Sequence, residues 1–185
     1  MTTNDHTDHT VPEATSGMVP HDNVAAFLFG WDGVAATLID RHLTVSGSSE
    51  LAVALFPNLR LGVNIAREVF LDVLPSREPT CAAEMGDQVV AALHSSLAWH
   101  ENDPEFQKII GELSAMSRTF SSAWAAERQQ LQPHGILHST HPVLGELSIK
   151  YQLLELAGRW NDVLIVWQGA DAASESAMQE LLPAL

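Results

Sequence analysis

Two histidines and a glutamate near residue 140 are the side chains best suited to chemistry. His138, His141 and Glu146 lie within nine consecutive residues. An imidazole and a carboxylate brought to one place can move a proton to or from a reacting group. We therefore treat these three as the candidate catalytic residues for a cyclisation, isomerisation or dehydration.

The same stretch also has histidines at spacings that metal ligands use. His134, His138 and His141 have three and two residues between them. A zinc site needs at least three converging ligands. The Pro and Gly residues at 133, 135 and 142 predict a loop and a turn here, which enforce no convergence. We therefore predict no metal site.

Cysteine content and hydrophobic patterning bear on compartment and cofactors. Cys81 is the only cysteine, so no intramolecular disulfide is possible. The sequence has neither a signal peptide nor a run of about 20 apolar residues, which favours a cytoplasmic protein without a membrane contact. It also contains no Gly-rich phosphate loop, so we expect no cofactor.

Charge excludes one class of partner. The chain has 23 acidic and 9 basic side chains, a net charge of −14. A surface that follows a phosphate backbone needs clustered Lys and Arg, whereas the basic residues here are scattered. We therefore expect no direct contact with nucleic acid.

The β-strands are predicted from apolar patterning. Residues 34–39 form an apolar strand, and residues 43–45 return beside it after a turn. Residues 146–153 alternate polar and apolar, which predicts a strand with one buried face. Residues 158–162 predict a turn, and the wholly apolar run 163–167 predicts a central strand.

The helices are predicted from caps and helical periodicity. Ser49 and Asn64 are expected N-caps of two short helices. A long helix is predicted over residues 81–100, with a stripe at Met85, Val89, Leu93 and Leu97. Asp103-Pro104 predicts the start of another, whose stripe continues through Met116, Phe120 and Trp124. A short helix is expected near residues 174–182.

These elements predict an α+β fold in which helices cover one face of an antiparallel sheet. Residues 1–22 are rich in Thr, Asp, His and Pro without apolar periodicity, and they predict a disordered tail. Residues 23–185 then form a single domain.

Several groups of residues resemble a known family. Asn64, Arg67 and Phe70 form one group, and Ser117, Phe120 and Trp124 form a second. The third is a corner of His141, Pro142 and Gly145 that begins an alternating strand. In this order they resemble the ligand-binding domain of MmyB-like transcription regulators of the XRE type, over about residues 36–182.

The resemblance implies a PAS-like fold with a cavity for an apolar or amphipathic molecule. In that family the sensor follows a DNA-binding helix-turn-helix, whereas this sequence predicts a sensor that stands alone. The predicted ligand-binding residues are Asn64, Phe70, Met85, Leu93, His94, Met116, Phe120, Trp124, His141, Tyr151 and Trp167.

The chain departs from the family pattern at three places. Gly47-Ser48 stands where the family has Trp-Asn, Thr80-Cys81 where it has Asp-Trp, and Leu93-His94 where it has Leu-Arg. Loss of aromatic bulk and of an Arg predicts a cavity of altered size or polarity.

Three functions fit these features. The first, which we favour, is a ligand-binding sensor that acts through a partner, as a homodimer or a heteromer with a related regulator. The second is an enzyme that transforms a hydrophobic intermediate in the same cavity. The third is a dimerisation module without a ligand.

Overall fold

The computed structural model describes residue 28 and residues 30–73, 79–100, 102–126, 130–156 and 159–182. The predicted tail, residues 1–22, lies outside this range. The elements run in the order β1 (Ala35–Ile39), β2 (Val45–Ser48), α1 (Glu50–Leu55), α2 (Ile65–Arg67), a π-helix (Glu68–Val73), α3 (Pro79–His100), α4 (Pro104–Met116), α5 (Arg118–Ala126), β3 (His134–His141), β4 (Gly145–Leu156), β5 (Arg159–Gly169) and α6 (Ala172–Gln179).

The described strands form one antiparallel sheet in the order β2-β1-β5-β4-β3. The predicted α+β class is confirmed. β5 is the central strand, as its apolar run predicted. Both of its faces are covered, because Ile165 and Trp167 enter the main core while Leu164 packs with Leu28 and Leu38 on the opposite face.

The alternation predicted for residues 146–153 is also confirmed. Leu147, Ile149 and Tyr151 of β4 are buried against the helices, and the polar residues between them face away. Neighbouring side chains of a strand point to opposite faces, so this pattern fixes which side of the sheet the helices cover. The predicted corner at His141-Pro142 is the turn between β3 and β4, where Gly145 has a φ of 78°.

Polar side chains begin the helices where the sequence predicted. The Ser49 hydroxyl accepts the N–H of Ala52 and begins α1. The Asn64 side chain accepts the N–H of Arg67 and begins α2. From Glu68 this second short helix continues as a π-helix, which the sequence pattern did not indicate.

The predicted single helix from Asp103 through Trp124 is wrong, because the chain leaves the helix at Ser117. That residue has φ −122° and ψ 111°, and α4 ends before it. Its hydroxyl accepts the N–H of Phe120 at 3.2 Å and so caps a new helix, α5. A serine mid-helix can bond the backbone in this way and redirect the chain. Met116, predicted in the buried stripe, is consequently 68% exposed.

Three shorter predictions are also wrong. The segment of His134, His138 and His141 is a strand and not a loop, because it pairs along its full length with β4. β5 starts at Arg159, so residues 159–162 are not a turn. The strand expected from residue 43 starts at Val45, because Leu43 has a φ of 62°, which interrupts extended backbone.

Asp103 links the turn after β1 to the start of α4. Its carboxylate accepts the N–H groups of Glu105 and Phe106, lies 2.9 Å from His42 Nε2 and forms an ion pair with Arg41 at 3.1 Å. The His42 contact and the backbone hydrogen bonds, against an opposing effect of burial, lower the pKa of Asp103 from 3.8 to about 2.

Replacing Asp103 with Asn is expected to remove an acid-sensitive part of the folding stability. Because the folded-state pKa lies below the unfolded one, ionised Asp103 stabilises the fold above about pH 4, and this is lost as pH falls through about 2. Asn caps helices about as well as Asp, so the cap remains. Urea midpoints measured from about pH 5 to about pH 2 should fall less steeply for Asp103→Asn than for the unmodified protein. Parallel curves would contradict the assignment.

Candidate functional site

An apolar cavity of about 110 Å³ lies between the helix-covered face of the sheet and α3; we call it the apolar chamber. Its walls are almost wholly carbon, so it suits hydrocarbon or ring groups and no charge. The residues that line it are Ile39, Leu43, Leu59, Ile65, Met85, Gln88, Val89, Ala92, Leu131, Leu137, Tyr151, Leu153, Ile165 and Trp167.

A second cavity of about 300 Å³ lies beside it, under α1 and the π-helix; we call it the outer chamber. One side is apolar, and the other carries amide, carboxylate, hydroxyl and imidazole groups. Its lining residues are Leu55, Phe56, Pro57, Asn58, Leu59, Ile65, Glu68, Val69, Met85, Leu137, Ser139, Thr140, His141, Pro142 and Trp167.

The two chambers adjoin along a shared wall. Five side chains line both of them: Leu59, Ile65, Met85, Leu137 and Trp167. Met85 is half-buried, and its unbranched thioether can adopt several rotamers at little cost. The two chambers therefore form one site with two parts: an apolar inner part, and an outer part lined by both apolar and polar groups. Met85 is the most adaptable side chain of the wall between them.

Trp167 is held firmly in this wall. It belongs to the central strand, and its ring contacts Phe56 with centroids 4.8 Å apart. Its indole N–H donates to the Thr37 hydroxyl at 3.4 Å. A buried indole usually needs such an acceptor. These two contacts fix the position of the indole in the wall that both chambers share.

Tyr151 closes the apolar chamber on the β4 side. It pairs across the strands with Gly135, and a Cβ at that glycine would lie 2.8 Å from both Cε1 and Oη of the tyrosine. The glycine therefore provides the space in which the ring lies. Burial, and to a smaller degree the charge of Glu84, raises the pKa of the Tyr151 phenol. At neutral pH the chamber thus contains a neutral phenol.

His141 lines the outer chamber with both ring nitrogens engaged. Nδ1 lies 3.3 Å from the backbone N of Val143 and 3.2 Å from that of Leu144, so it accepts their N–H groups. Nε2 lies 3.1 Å from the carbonyl oxygen of Ala54, so it carries the hydrogen and donates it. The imidazole fixes the β3–β4 corner against the end of α1.

The three candidate catalytic residues are not brought together. His141 faces the helices, whereas His138 and Glu146 are exposed and lie at positions of β3 and β4 that face the other way. His138 contacts the Ser148 hydroxyl across the strands. The strand also directs His134 away from His141, and in the described residues no three His, Cys, Asp or Glu side chains form a group fit for a metal.

The remaining predicted ligand-binding residues do not line the chambers. His94 stacks on Trp124 with centroids 3.9 Å apart, and Phe120 contacts both Trp124 and Phe70. Leu93 is fully buried in the core. Asn64 caps α2 and donates its amide to the carbonyl of His42 and to the Thr44 hydroxyl. Met116 points to solvent. Met85, His141, Tyr151 and Trp167 are the predicted residues that do line the site.

The comparison with known families agrees with this architecture. The family described as the MmyB-like transcription regulator ligand binding domain matches residues 20–181, most of the chain. The chain belongs to this family. No curated protein sequence matches the chain. The resemblance predicted from the sequence is therefore confirmed.

Two of the departures from the MmyB-like pattern fall away from the chambers. Gly47 and Ser48 belong to β2, where the Ser48 hydroxyl lies 3.3 Å from that of Thr37. His94 is part of the aromatic cluster with Trp124. The side chains of Thr80 and Cys81 lie outside the described set.

Of the helices in the described part of the chain, none combines the length and apolarity needed to cross a bilayer.

Several lining residues of this MmyB-like domain escaped the sequence analysis. Leu137 was missed because its segment was predicted to be a loop. The signal that could have identified it is the strand predicted at residues 146–153, which needs a neighbouring strand to pair with. Glu68 and Val69 begin a π-helix, which has no sequence period of its own. Phe56 precedes Pro57 at the end of α1, and no feature of the sequence distinguishes it from an ordinary core residue.

Proposed function

We propose that the protein is a sensor domain that binds an apolar or amphipathic small molecule in the two adjoining chambers. The observation that carries this proposal is the shared wall at Met85, which places an apolar chamber directly behind one with a polar side. Membership of a family of regulator ligand-binding domains supports the same reading. The apolar part of the ligand occupies the apolar chamber, and its polar part occupies the outer chamber.

The energetics favour occupation of the apolar chamber. Each Å² of apolar surface removed from water contributes about 25 cal/mol to the free energy of binding. The walls are almost wholly carbon, so no polar group of the chamber has to be satisfied by the ligand. A ligand that binds the folded state alone stabilises it by mass action, by about 2.7 kcal/mol at 100 times the Kd. Ligand binding is therefore measurable as thermal stabilisation.

The sensor acts through a partner in the cytoplasm. The chain forms a homodimer or a heteromer with a related regulator, and that regulator, not this acidic chain, contacts the DNA. The net charge of −14 supports the assignment of DNA contact to another protein, because an acidic surface is repelled by the phosphates of DNA. Binding changes the packing between the sheet and the helices, and the partner responds to that change.

The first experiment is native mass spectrometry of the freshly purified protein, followed by extraction and identification of any bound molecule. The expected result is a bound lipid-like or polyketide-like molecule, recovered unchanged, that raises the Tm of the stripped protein. Recovery of a transformed product would point to an enzyme. An empty protein that no apolar compound stabilises, yet which forms a stable heteromer, would overturn the proposal in favour of a dimerisation module.

A further inference from the structure

We propose that Ser139 anchors the polar end of the ligand, and that this end is a neutral oxygen group, either a hydroxyl or a carbonyl. The inference rests on the proposed function, because it names the chemistry of the ligand that occupies the same two chambers. Its consequence is that an amphiphile with an ionised carboxylate binds less tightly than the corresponding alcohol.

The position of Ser139 follows from the geometry of β3. Side chains of a strand alternate between the two faces of a sheet, so Leu137, Ser139 and His141 share one face. Leu137 and His141 are buried on the helix-covered face, and all three residues line the outer chamber. Ser139 is half-buried between them. Its hydroxyl therefore lies on the chamber side of the strand.

The Ser139 hydroxyl is available to a ligand, whereas two other polar groups of the outer chamber are not. Both ring nitrogens of His141 are used in the β3–β4 corner, and the indole N–H of Trp167 donates to the Thr37 hydroxyl. In the part of the chain that the structure describes, no protein group forms a hydrogen bond with the Ser139 hydroxyl. Its oxygen is also not sealed inside the core. A ligand can therefore bond with it without breaking a contact of the fold.

The spacing along β3 sets how far this anchor lies from the apolar chamber. Leu137 belongs to the wall that both chambers share, and Ser139 is the next residue of β3 on the same face. Two residues of a strand span about 7 Å. The ligand oxygen therefore lies roughly 7 Å beyond the shared wall. A bridge of about four or five carbons between that oxygen and the group in the apolar chamber covers this distance.

The chemistry of the anchor and the charge of the protein favour a neutral head group. A serine hydroxyl donates one hydrogen bond and accepts others, so it matches a hydroxyl or a carbonyl without any charge. A protonated amine brings three donors, more than one hydroxyl can satisfy. The chain has a net charge of −14, and such a field repels an anion. The described lining residues of both chambers include no Lys or Arg, so a buried carboxylate would lose water without gaining a cation.

The test uses three probes that share a phenylbutyl group and differ at its end: butylbenzene, 4-phenylbutan-1-ol and 4-phenylbutanoate. Affinities are measured by calorimetry at neutral pH on the stripped full-length protein. We expect the alcohol to bind about tenfold tighter than the carboxylate. A carboxylate that binds as tightly as the alcohol would contradict the neutral head group.

Ser139→Ala removes the anchor and leaves the apolar walls in place. The affinity for the alcohol is expected to fall about tenfold, while that for butylbenzene stays the same because the hydrocarbon makes no bond with the hydroxyl. Ser139→Thr keeps a hydroxyl and should restore most of the affinity for the alcohol. Ser114→Ala is the matched control, since Ser114 is exposed on α4 and lines neither chamber.

The outcomes separate the anchor from the site itself. An unchanged affinity for the alcohol in Ser139→Ala, or an equal loss for alcohol and hydrocarbon, would overturn the role of Ser139. The ratio of alcohol to carboxylate in the unmodified protein tests the head group even if the variant folds poorly. Binding of none of the three probes would instead overturn the proposed function, and the assignment of Ser139 with it.

Discussion

Ala92→Phe is expected to weaken the binding of any ligand that occupies the apolar chamber by about a hundredfold. Ala92 is half-buried on α3 and lines that chamber. A phenyl group there occupies the space of the ligand's apolar part. Loss of about 100 Å² of apolar burial costs roughly 2.5 kcal/mol, which is close to two orders of magnitude in Kd. Calorimetry with decanol, or with the molecule recovered from the purified protein, measures the change.

The stability of the ligand-free variant provides the contrast. Because the phenyl group fills an existing cavity, the Tm without ligand should stay close to that of the unmodified protein, while the stabilisation by ligand disappears. Ala115→Phe is the matched control, since Ala115 is exposed on α4 and lines neither chamber. Equal affinity in Ala92→Phe and Ala115→Phe would show that the ligand binds elsewhere.

The fold class could be predicted because its signals are local. The alternation of polar and apolar residues over 146–153 predicts a strand with one solvent-exposed face and one buried face. Ile149 and Tyr151 are buried, as this pattern predicts. Asp103 followed by Pro104 begins a helix wherever that sequence is free to form one, because the cap and the fixed φ need no distant partner. Local chemistry of this kind is readable from a single sequence.

The helix break at Ser117 shows where such reading fails. The apolar spacing from Phe106 to Trp124 fits one helix as well as two, and periodicity alone cannot distinguish them. The hydroxyl of Ser117 accepts the N–H of Phe120 and so begins a second helix at the point where the first one ends. That second helix, α5, packs on α3, where His94 contacts the carbonyl oxygen of Trp124. The hydroxyl of a serine can cap a new helix in competition with a continuous apolar stripe, and the spacing of the apolar residues does not reveal which of the two forms.

The lining of the two chambers could be predicted only in part, for a related reason. Met85, Tyr151 and Trp167 were found because they lie on the buried faces of regular elements. Phe120 and Trp124 satisfy the same pattern, yet they pack on Phe70 and His94 in an aromatic cluster. Periodicity indicates which side chains are buried, but it does not indicate which buried side chains leave space between them. That depends on distances between distant elements, which are set by the whole packing arrangement.

Gly169→Ala is expected to be the most destabilising single methyl addition that these contacts indicate, costing about 3 kcal/mol or more. β5 ends at Gly169, and α6 folds back so closely that a Cβ there would lie 2.5 Å from Cα of Glu175 and still closer to its backbone N. Both are backbone atoms, so no rotamer change relieves the collision. The Asp171 side chain holds the same turn by accepting the N–H of Ser174 at 2.7 Å. The helix must therefore move away from the sheet, which breaks the bond from Ser148 N to Ser174 Oγ.

Gly111→Ala is the control for this change, because it adds the same methyl group to an open position. Gly111 is exposed on α4, and its Cβ would meet no atom within 4 Å. Alanine favours a helix over glycine by up to about 1 kcal/mol, so this variant should be equally or slightly more stable. Urea denaturation of the two variants measures the difference in free energy of unfolding. Equal stability would mean that α6 is not docked on the sheet as described. A large loss at Gly169 alone would show that the closure of β5 by α6 is part of the folded core.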